Sequence, residues 1–194
     1  MFLEPHFKGK RTGWIEVIFG CMLPGKTEEL IRRLKRATIA QLKVEVFKPK
    51  IDTRYDKVNI VSHDTSSVLA APVGHSSRLL EIADETSVVG VDEAQFFDSD
   101  LPDVCQQLAQ KGIRVVVAGL DMDFRGKPFG PMPAMLAIAE YVTKVHAICV
   151  HCGNLATHSY RLAGGEEVIV LGEKEEYEPR CRSCYSKGNI LRLK

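Results

Sequence analysis

The amino-acid sequence predicts an α/β protein with a three-layer core, in which helices cover both faces of a mostly parallel sheet, followed by a small cysteine-rich unit. Three observations support this expectation. Short apolar segments typical of buried strands alternate with amphipathic segments typical of helices. A glycine-rich loop joins the first predicted strand to the first predicted helix. Two C-x-x-C pairs follow in the last quarter of the chain.

The glycine-rich loop follows an apolar strand predicted over residues 14–19. It matches the phosphate-binding pattern G-x-x-x-x-G-K-[ST] through Gly20, Cys21, Met22, Leu23, Pro24, Gly25, Lys26 and Thr27. Backbone N–H groups of such a loop, and the N-terminal end of the helix predicted from 27 to about 41, attract phosphate. In this pattern Lys26 reaches the β- and γ-phosphates and Thr27 ligates Mg²⁺, so a nucleoside triphosphate and Mg²⁺ are the expected ligands. The alternative, a simple turn, is disfavoured by the strand before the loop and the apolar helix face after it.

The remaining elements alternate in the same way. Strands are predicted over 42–47, 68–73, 87–91 and 113–118, and helices over 78–85, 101–111 and 134–141. The long segments 52–64 and 119–133 are interpreted as loops. Ligands of a parallel sheet gather at the carboxyl ends of its strands. Gly20, Asp92 and Gly119 each follow a predicted strand, so the chemistry is expected along one edge of the sheet.

Two neighbouring carboxylates, Asp92 and Glu93, end the buried strand 87–91. Beside a phosphate loop, an acidic residue at a strand end holds Mg²⁺ or its water molecules, and a second one accepts the proton of an attacking hydroxyl. Neighbouring side chains of a strand point in opposite directions, so we expect the two carboxylates to have separate roles. The alternative is a solvated acidic turn without function.

Four cysteines form the two C-x-x-C pairs, Cys149 with Cys152 and Cys181 with Cys184, separated by the 28 residues from 153 to 180. Paired turns of this kind suit tetrahedral Zn²⁺, and a hairpin within 155–171 would absorb the long separation. Zinc is favoured over disulfides because a cytosolic chain keeps its thiols reduced. With four thiolates on the metal no position is left for a substrate, so the metal is expected to be structural. Cys21 and Cys105 remain outside this set.

Composition limits the class of protein. The 194 residues are 45% hydrophobic and 26% charged, and no apolar stretch approaches the roughly 18 residues that cross a bilayer. The N-terminus lacks the apolar core of a secretory signal, so a cytoplasmic location without membrane attachment is expected. A net charge of +1 gives no general attraction to nucleic acid. Residues 1–13 are interpreted as a flexible extension, 14–141 as a nucleotide-binding domain and 142–194 as a zinc-binding subdomain.

Four motifs, in this order along the chain, resemble those of the type II (cellular-type) thymidine kinase family. They are the phosphate loop, the segment 91–97 (VDEAQFF), the segment 119–130 (GLDMDFRGKPFG) and the four cysteines. The resemblance covers about residues 14–185. It implies a P-loop, RecA-like core and an ATP:thymidine 5′-phosphotransferase. Such an enzyme transfers the γ-phosphoryl group of ATP to the 5′-hydroxyl of thymidine, yielding dTMP in pyrimidine deoxynucleotide salvage, or to that of deoxyuridine.

The resemblance also implies roles for individual residues. Glu93 matches the general base, and Asp92 matches the Walker B acid. The residues implied for ATP and Mg²⁺ binding are those of the phosphate loop together with Asp92, Gln95 and Arg54. Those implied for the nucleoside are Met22, Phe96, Leu120, Phe124, Phe129, Ser159 and Tyr177. Segment 120–129 matches the family's "lasso" loop, which holds the base mainly through main-chain hydrogen bonds. For each aromatic residue alone, core packing is the alternative.

One departure from the family concerns the phosphate loop. Leu23 and Pro24 stand where the family usually has an aromatic residue followed by a small hydroxyl-bearing residue or alanine. Proline has no N–H, so the loop lacks one backbone donor that could face phosphate. The family further implies a homotetramer, a structural Zn²⁺ and feedback inhibition by thymidine triphosphate.

Two other functions fit part of the sequence. One is an ATPase whose zinc ribbon binds nucleic acid, but segment 164–178 carries six glutamates against Lys174, and this charge repels a phosphate backbone. The other is a structural zinc module on an inactive P-loop fold, which leaves Asp92, Glu93 and segment 120–129 without a role. A nucleoside kinase that does not bind nucleic acid is therefore the favoured interpretation.

Overall fold

We describe the fold from a computed structural model, which describes residues 12–22, 25–51, 59–61, 67–82, 85–162 and 176–192. Its strands are β1 (Trp14–Phe19), β2 (Val44–Pro49), β3 (Asn59–Val61), β4 (Ser67–Leu69), β5 (Ala71–Val73), β6 (Val88–Val91), β7 (Arg114–Gly119), β8 (Tyr141–Lys144), β9 (Ala147–Ile148), β10 (Leu155–Ala156), β11 (His158–Arg161) and β12 (Tyr177–Arg180). Its α-helices are α1 (Lys26–Ile39), α2 (Arg78–Ile82), α3 (Leu101–Gln110), α4 (Met132–Ile138) and α5 (Arg182–Arg192). A 3₁₀ turn covers Ala94–Phe96.

The main sheet has six strands in the order β5-β2-β6-β7-β1-β8, and every neighbouring pair within it is parallel. The central strands β1 and β7 pair from Trp14 with Arg114 to Phe19 with Gly119. This order brings the carboxyl ends of β1, β6 and β7 side by side. The predicted α/β class with a mostly parallel sheet is confirmed.

Apolar side chains on the two faces of the sheet form two separate cores. The core towards α2, α3 and α4 contains, among others, Val17, Val115, Val117, Leu108 and Met132. The core towards α1 contains, among others, Ile18, Val116, Ala118, Leu30 and Leu34. Consecutive residues of β7 alternate between the two cores, as the period of two in a strand requires. The three layers follow from this alternation.

A buried ion-pair network interrupts the core on the α1 side. Glu16 of β1 is fully buried and accepts hydrogen bonds from Arg33 Nη1 at 2.8 Å and from Arg114 Nε at 2.7 Å. Trp14 Nε1 donates to the same carboxylate at 2.6 Å. Arg33 lies on α1 and Arg114 on β7, so the network ties the first helix, which begins at the phosphate loop, to the middle of the sheet.

We expect Glu16→Gln to lower the free energy of unfolding by about 3 kcal/mol, because two buried guanidinium groups lose their carboxylate. Urea unfolding followed by circular dichroism measures this loss. Glu81→Gln is the matched control, since the Glu81 carboxylate forms an exposed ion pair with Arg78 on α2 and its loss is expected to cost less than about 1 kcal/mol. Equal losses in the two variants would show that the buried network stabilises the fold no more than an exposed ion pair does.

Two elements differ from the sequence-based expectation. The segment predicted as one strand over 68–73 is two strands: β4 pairs antiparallel with β3, whereas β5 pairs parallel with β2 in the main sheet. The helix predicted over 134–141 starts earlier, at Met132, because Pro133 in its first turn favours a helix start. It ends at Ile138, and Tyr141–Lys144 forms strand β8 beside β1.

The cysteine-rich part of the chain contains two small antiparallel sheets, β9 with β10 and β11 with β12, followed by α5. Strand β8 of the main sheet spans position 142, where the sequence placed the start of the zinc-binding subdomain. The division into 1–13, 14–141 and 142–194 stays a prediction. Within the described ranges, none of the helices is long and apolar enough to span a lipid bilayer.

Candidate active site

The phosphate loop leaves β1 at Gly20 and enters α1 at Lys26. Gly25 is the N-cap of α1 and has a positive φ of 81°. Lys26 Nζ donates to the carbonyl oxygen of Cys21 at 2.8 Å, so the lysine side chain folds back over the start of the loop. The predicted phosphate contacts Leu23 and Pro24 lie outside the described residues, as does Arg54.

Gly20 is required by the close approach of the chain beyond β8. Any Cβ at this position would lie 2.2 Å from the carbonyl oxygen of Val145. The backbone N–H of Val145 in turn donates to Phe19 O at 2.9 Å. The first glycine of the loop therefore lets the segment before the first C-x-x-C pair pass directly behind the phosphate loop.

Asp92 follows β6 at the same edge of the sheet and is buried. Thr27 Oγ1 donates to Asp92 Oδ2 at 3.4 Å, and the backbone N–H of Glu93 donates to Asp92 Oδ1 at 3.0 Å. A hydroxyl and a carboxylate oxygen this close suit Mg²⁺, which prefers oxygen ligands. The structure thus places the phosphate-loop hydroxyl beside the strand-end acid, and their predicted binding of Mg²⁺ stays a prediction.

Glu93 adopts a left-handed backbone conformation, with φ 51° and ψ 42°. Such a conformation is uncommon for a residue with a side chain and concentrates at functional sites. The Glu93 carboxylate accepts a hydrogen bond from Gln95 Nε2. Gln95 Oε1 accepts the backbone N–H of Leu120 at 2.9 Å. Gln95 thereby connects the carboxylate to the first residue of the lasso segment 120–129, and its predicted contact with ATP or Mg²⁺ stays a prediction.

The position of Gln95 depends on Gly130 at the end of this segment. Gly130 has a φ of 50°, and a Cβ there would lie 2.2 Å from the carbonyl oxygen of Gln95. The tight packing holds the 3₁₀ turn and the lasso segment at a fixed separation.

The charges at this edge converge on Lys26. Burial lowers the pKa of the Lys26 ammonium, and the nearby carboxylates of Glu93, Asp92 and Asp121 oppose this shift. The three acidic residues therefore lie close enough to the lysine to stabilise its charged form. A cation flanked by carboxylates at the end of a helix is an arrangement that can hold phosphate together with a metal ion.

Residues predicted to contact the nucleoside meet in three places. The backbone N–H of Met22 donates to Ser159 Oγ at 3.0 Å, which joins the phosphate loop to β11. The rings of Phe96 and Phe129 pack edge to face with their centroids 5.6 Å apart. Leu120, which belongs to neither pair, is buried and bonded to Gln95, as described above.

The third meeting place joins Phe124 and Tyr177 through a residue that the sequence did not single out. The guanidinium carbon of Arg161 lies 3.7 Å from the centroid of the Phe124 ring. Arg161 Nη2 and Nε donate to the Tyr177 hydroxyl at 2.6 and 3.1 Å. From α5, the Tyr185 hydroxyl donates to the carbonyl oxygen of Phe124 at 2.8 Å. Both ring and main chain of Phe124 are therefore held by the cysteine-rich part of the chain.

Asp121 is a second residue that the sequence did not single out. Lys144 Nζ donates to Asp121 Oδ2 at 2.9 Å, while Asp121 Oδ1 is buried and has no hydrogen-bond partner among the described residues. The Lys144 side chain that pairs with Asp121 also lies over the Phe19 ring of β1. These contacts join distant segments of the chain, so the local sequence gives no signal for them.

The four cysteines of the C-x-x-C pairs lie together, with their sulfur atoms within 4.8 Å of one another. Cys152 Sγ and Cys181 Sγ are 3.6 Å apart. Four sulfurs at about 2.3 Å from one tetrahedral ion would be about 3.8 Å apart, so this set fits a Zn²⁺ ion. Burial raises the pKa of the Cys149 thiol, but N–H groups of neighbouring backbone outweigh it and bring the pKa to about 6.

The four-cysteine cluster also contacts the phosphate loop. Cys21 packs with Ala147, Cys149 and Ala156 in one buried cluster, and its thiol lies 3.5 Å from the carbonyl oxygen of Ala156. Burial raises the pKa of Cys21, so its thiol stays neutral. Together with the Met22–Ser159 bond, this contact joins the nucleotide-binding edge to the cysteine-rich unit.

Comparison with known proteins identifies the group to which the chain is related. A family model described as thymidine kinase matches residues 13–185. The chain belongs to the thymidine kinase family. Among curated members of this family, a thymidine kinase of Bacteroides fragilis is 56% identical over 189 residues, which are 97% of this chain and 95% of the relative.

Two further thymidine kinases show the same level of similarity. That of Porphyromonas gingivalis is 57% identical over 182 residues, 94% of this chain and 89% of the relative. That of Rhodothermus sp. is 57% identical over 177 residues, 91% of this chain and 83% of the relative. The region that the family model matches spans the phosphate loop, Asp92 and Glu93, the lasso segment and the four cysteines.

Proposed function

We propose that this protein is a thymidine kinase, which transfers the γ-phosphoryl group of ATP to the 5′-hydroxyl of thymidine, yielding dTMP, or to that of deoxyuridine. One observation carries the proposal most directly. Glu93 lies next to Asp92, which contacts Thr27 of the phosphate loop, and is joined through Gln95 to the backbone of Leu120 in the lasso segment. A candidate base therefore connects the phosphate-binding side to the predicted nucleoside-binding side.

In the proposed reaction each residue at this edge has a separate role. Lys26 leaves the Cys21 carbonyl and binds the β- and γ-phosphates, while the N–H groups at the start of α1 face the same oxygens. Glu93 accepts the proton of the 5′-hydroxyl as the hydroxyl attacks the γ-phosphorus, the bond from that phosphorus to the bridging oxygen of the β-phosphate breaks, and ADP leaves. Gln95 orients the Glu93 carboxylate. Thr27 and Asp92 would hold Mg²⁺, which when bound neutralises charge on the phosphate oxygens.

The nucleoside is proposed to bind against the aromatic residues of the lasso segment. A pyrimidine base is uncharged and needs apolar walls with a few oriented polar groups. Support comes from the buried or half-buried positions of Leu120, Phe124, Phe129 and Tyr177 and from the irregular backbone between Asp121 and Gly130. Backbone groups of that segment supply donors and acceptors without adding charge.

The four cysteines are proposed to hold a structural Zn²⁺. Support comes from their mutual distances and from their number, because four thiolates fill a tetrahedral shell and leave no open coordination position. Cys149 and Cys152, between β9 and β10, and Cys181 and Cys184, at the start of α5, would hold the ion and be linked through it behind the phosphate loop.

We expect thymidine to accelerate ATP consumption by the purified protein, because the attacking hydroxyl belongs to the nucleoside rather than to water. A panel of nucleosides with radiolabelled ATP, separated by thin-layer chromatography, measures both the rate and the product. Thymidine and deoxyuridine are expected to be labelled, and cytidine and adenosine are the controls. Equal ATP hydrolysis with and without nucleoside, or stimulation by DNA instead, would contradict the proposal.

Three further expectations from the sequence remain predictions. They are inhibition by thymidine triphosphate, assembly into a homotetramer and a cytoplasmic location. Size-exclusion chromatography with light scattering tests the assembly, and addition of the triphosphate to the nucleoside assay tests the inhibition.

A further inference from the structure

The register of the β11–β12 sheet points one of its faces at the candidate active site. Paired residues of an antiparallel sheet share a face, and residues two apart in a strand share it too. Ser159 pairs with Pro179, and Arg161 pairs with Tyr177, so these four residues lie on one face. Ser159 on this face contacts Met22 of the phosphate loop, and Arg161 contacts Phe124 of the lasso segment.

Arg161 occupies an unusual environment on that face. Its side chain is only 3% exposed, although it carries a full positive charge. Its guanidinium lies over the Phe124 ring and bonds the Tyr177 hydroxyl through two nitrogens. A guanidinium is planar and weakly hydrated, so it can stack on one ring while its edge donates in a fixed direction. A lysine ammonium has no planar group that stacks on a ring and no pair of N–H groups in fixed directions.

Phe124 depends on such contacts because no helix or strand holds it. The lasso segment is irregular between Leu120 and the start of α4, apart from a single bridge between Met122 and Pro128. The hydroxyl of Tyr185 fixes the Phe124 carbonyl, which leaves the ring free to rotate about its side-chain bonds. Among the described residues, Arg125 and Arg161 place guanidinium groups near this ring, and Arg161 is the nearer, at 3.7 Å against 5.2 Å.

We infer that Arg161 is a positioning residue for the nucleoside site: its guanidinium holds the Phe124 ring and the Tyr177 hydroxyl in the orientation in which both side chains flank the pyrimidine. The inference rests on the proposed binding of the nucleoside at these two residues. Arg161 acts on the base through them and has no part in phosphoryl transfer. It therefore determines thymidine affinity and leaves the ATP side of the reaction unchanged.

The test is a comparison of kinetic constants for Arg161→Met, Arg161→Lys and the unmodified protein. We expect Arg161→Met to raise KM for thymidine about tenfold, because the lost hydrogen bonds orient both side chains and their loss is expected to weaken thymidine binding by about this factor. KM for ATP and kcat at saturating thymidine are expected to stay within about twofold. Arg161→Lys is expected to lose less thymidine affinity than Arg161→Met but not to match the unmodified protein, because lysine keeps the charge without the planar guanidinium and its two directed N–H groups.

Arg180→Met is the matched control. Arg180 is a buried arginine in the same sheet, and its guanidinium carbon lies 3.3 Å from the centroid of the Tyr160 ring, on the face opposite Arg161. Its loss disturbs the same subdomain without touching Phe124 or Tyr177. Thermal unfolding and zinc content of each variant show how far the subdomain itself is affected. Should Arg161→Met fail to fold, Tyr177→Phe, which removes only the acceptor oxygen, is expected to raise KM for thymidine about threefold.

The outcomes separate the inference from the proposed function. A thymidine KM within twofold of the unmodified value in Arg161→Met, or an equal rise in Arg180→Met, overturns the inference while thymidine-dependent turnover of the unmodified protein still supports the function. Full recovery in Arg161→Lys also overturns it, because charge alone would then suffice. Absence of thymidine-dependent turnover in the unmodified protein overturns the proposed function and the inference together.

Discussion

Replacing Glu93 by glutamine is expected to lower kcat by about 100- to 10,000-fold, the range that a positioned general base contributes. Glutamine keeps the size of the side chain but cannot accept the proton of the attacking hydroxyl. ATP binding is expected to change little, because the contacts of the phosphate loop are made by Lys26 and Thr27 and by backbone groups. Single-turnover assays with radiolabelled ATP measure the chemical step, and equilibrium binding of a fluorescent ATP analogue measures the affinity.

A second carboxylate serves as the control for this substitution. Glu85 is exposed and forms a surface ion pair with Lys43, so Glu85→Gln makes the same chemical change away from the site. Its kcat is expected to match that of the unmodified protein. If Glu93→Gln retained more than about a third of the turnover, Glu93 would not be the base, and the contact of Gln95 with its carboxylate would have only a structural meaning.

The elements that the sequence predicted best are those whose residues all face apolar surroundings. Strand β7 was predicted within one residue, because both faces of a central parallel strand are buried and its residues from Val115 to Ala118 are all apolar. The sequence also predicted that the phosphate loop and the Asp92–Glu93 pair follow strands. Glycine, lysine and acidic residues rarely continue a buried strand, so they mark the point where the strand ends. The four cysteines were readable from their spacing alone.

The parts that were missed depend on contacts between distant segments. Segment 68–73 has one continuous pattern, and it divides into β4 and β5 only because different partners pair with its two halves. Helix α5 carries Gly188 and many polar residues, so its sequence alone gives a weak helical signal. The left-handed backbone of Glu93 has no local sequence signature, since it is imposed by the turn that aims the side chain at Gln95.

In the candidate site, too, residues with a local sequence signal were predicted, and residues that depend on long-range contacts were not. The family resemblance implies Met22, Phe124 and Tyr177 as separate nucleoside contacts, which stay predictions. The sequence did not identify Arg161, which joins two of these residues, because an arginine in a short strand is ordinarily a surface residue. The signal was present in the alternation: Arg161 is two residues after Ser159, so a strand at this place puts both on one side.

Removal of the metal is expected to have the largest structural effect. We expect Cys149→Ser to reduce zinc from about one ion per chain to nearly none and to unfold the cysteine-rich unit, because a small domain of this kind takes much of its folding free energy from metal binding. The phosphate loop should be affected as well, since Cys21 packs against Cys149 and Met22 is bonded to Ser159. Metal analysis, circular dichroism and ATP binding measure the three consequences.

Cys105 provides the control within the same chain. It is fully buried on α3, in a core separate from the four-cysteine cluster, and burial raises the pKa of its thiol to about 12, so it stays protonated. Cys105→Ala is therefore expected to keep its zinc and its ATP affinity, with only a modest loss of stability from the missing sulfur. A Cys149→Ser protein that kept stoichiometric zinc would refute the four-cysteine site. One that lost zinc but bound ATP normally would show that the phosphate loop is held by the main sheet alone, without support from the cysteine-rich unit behind it.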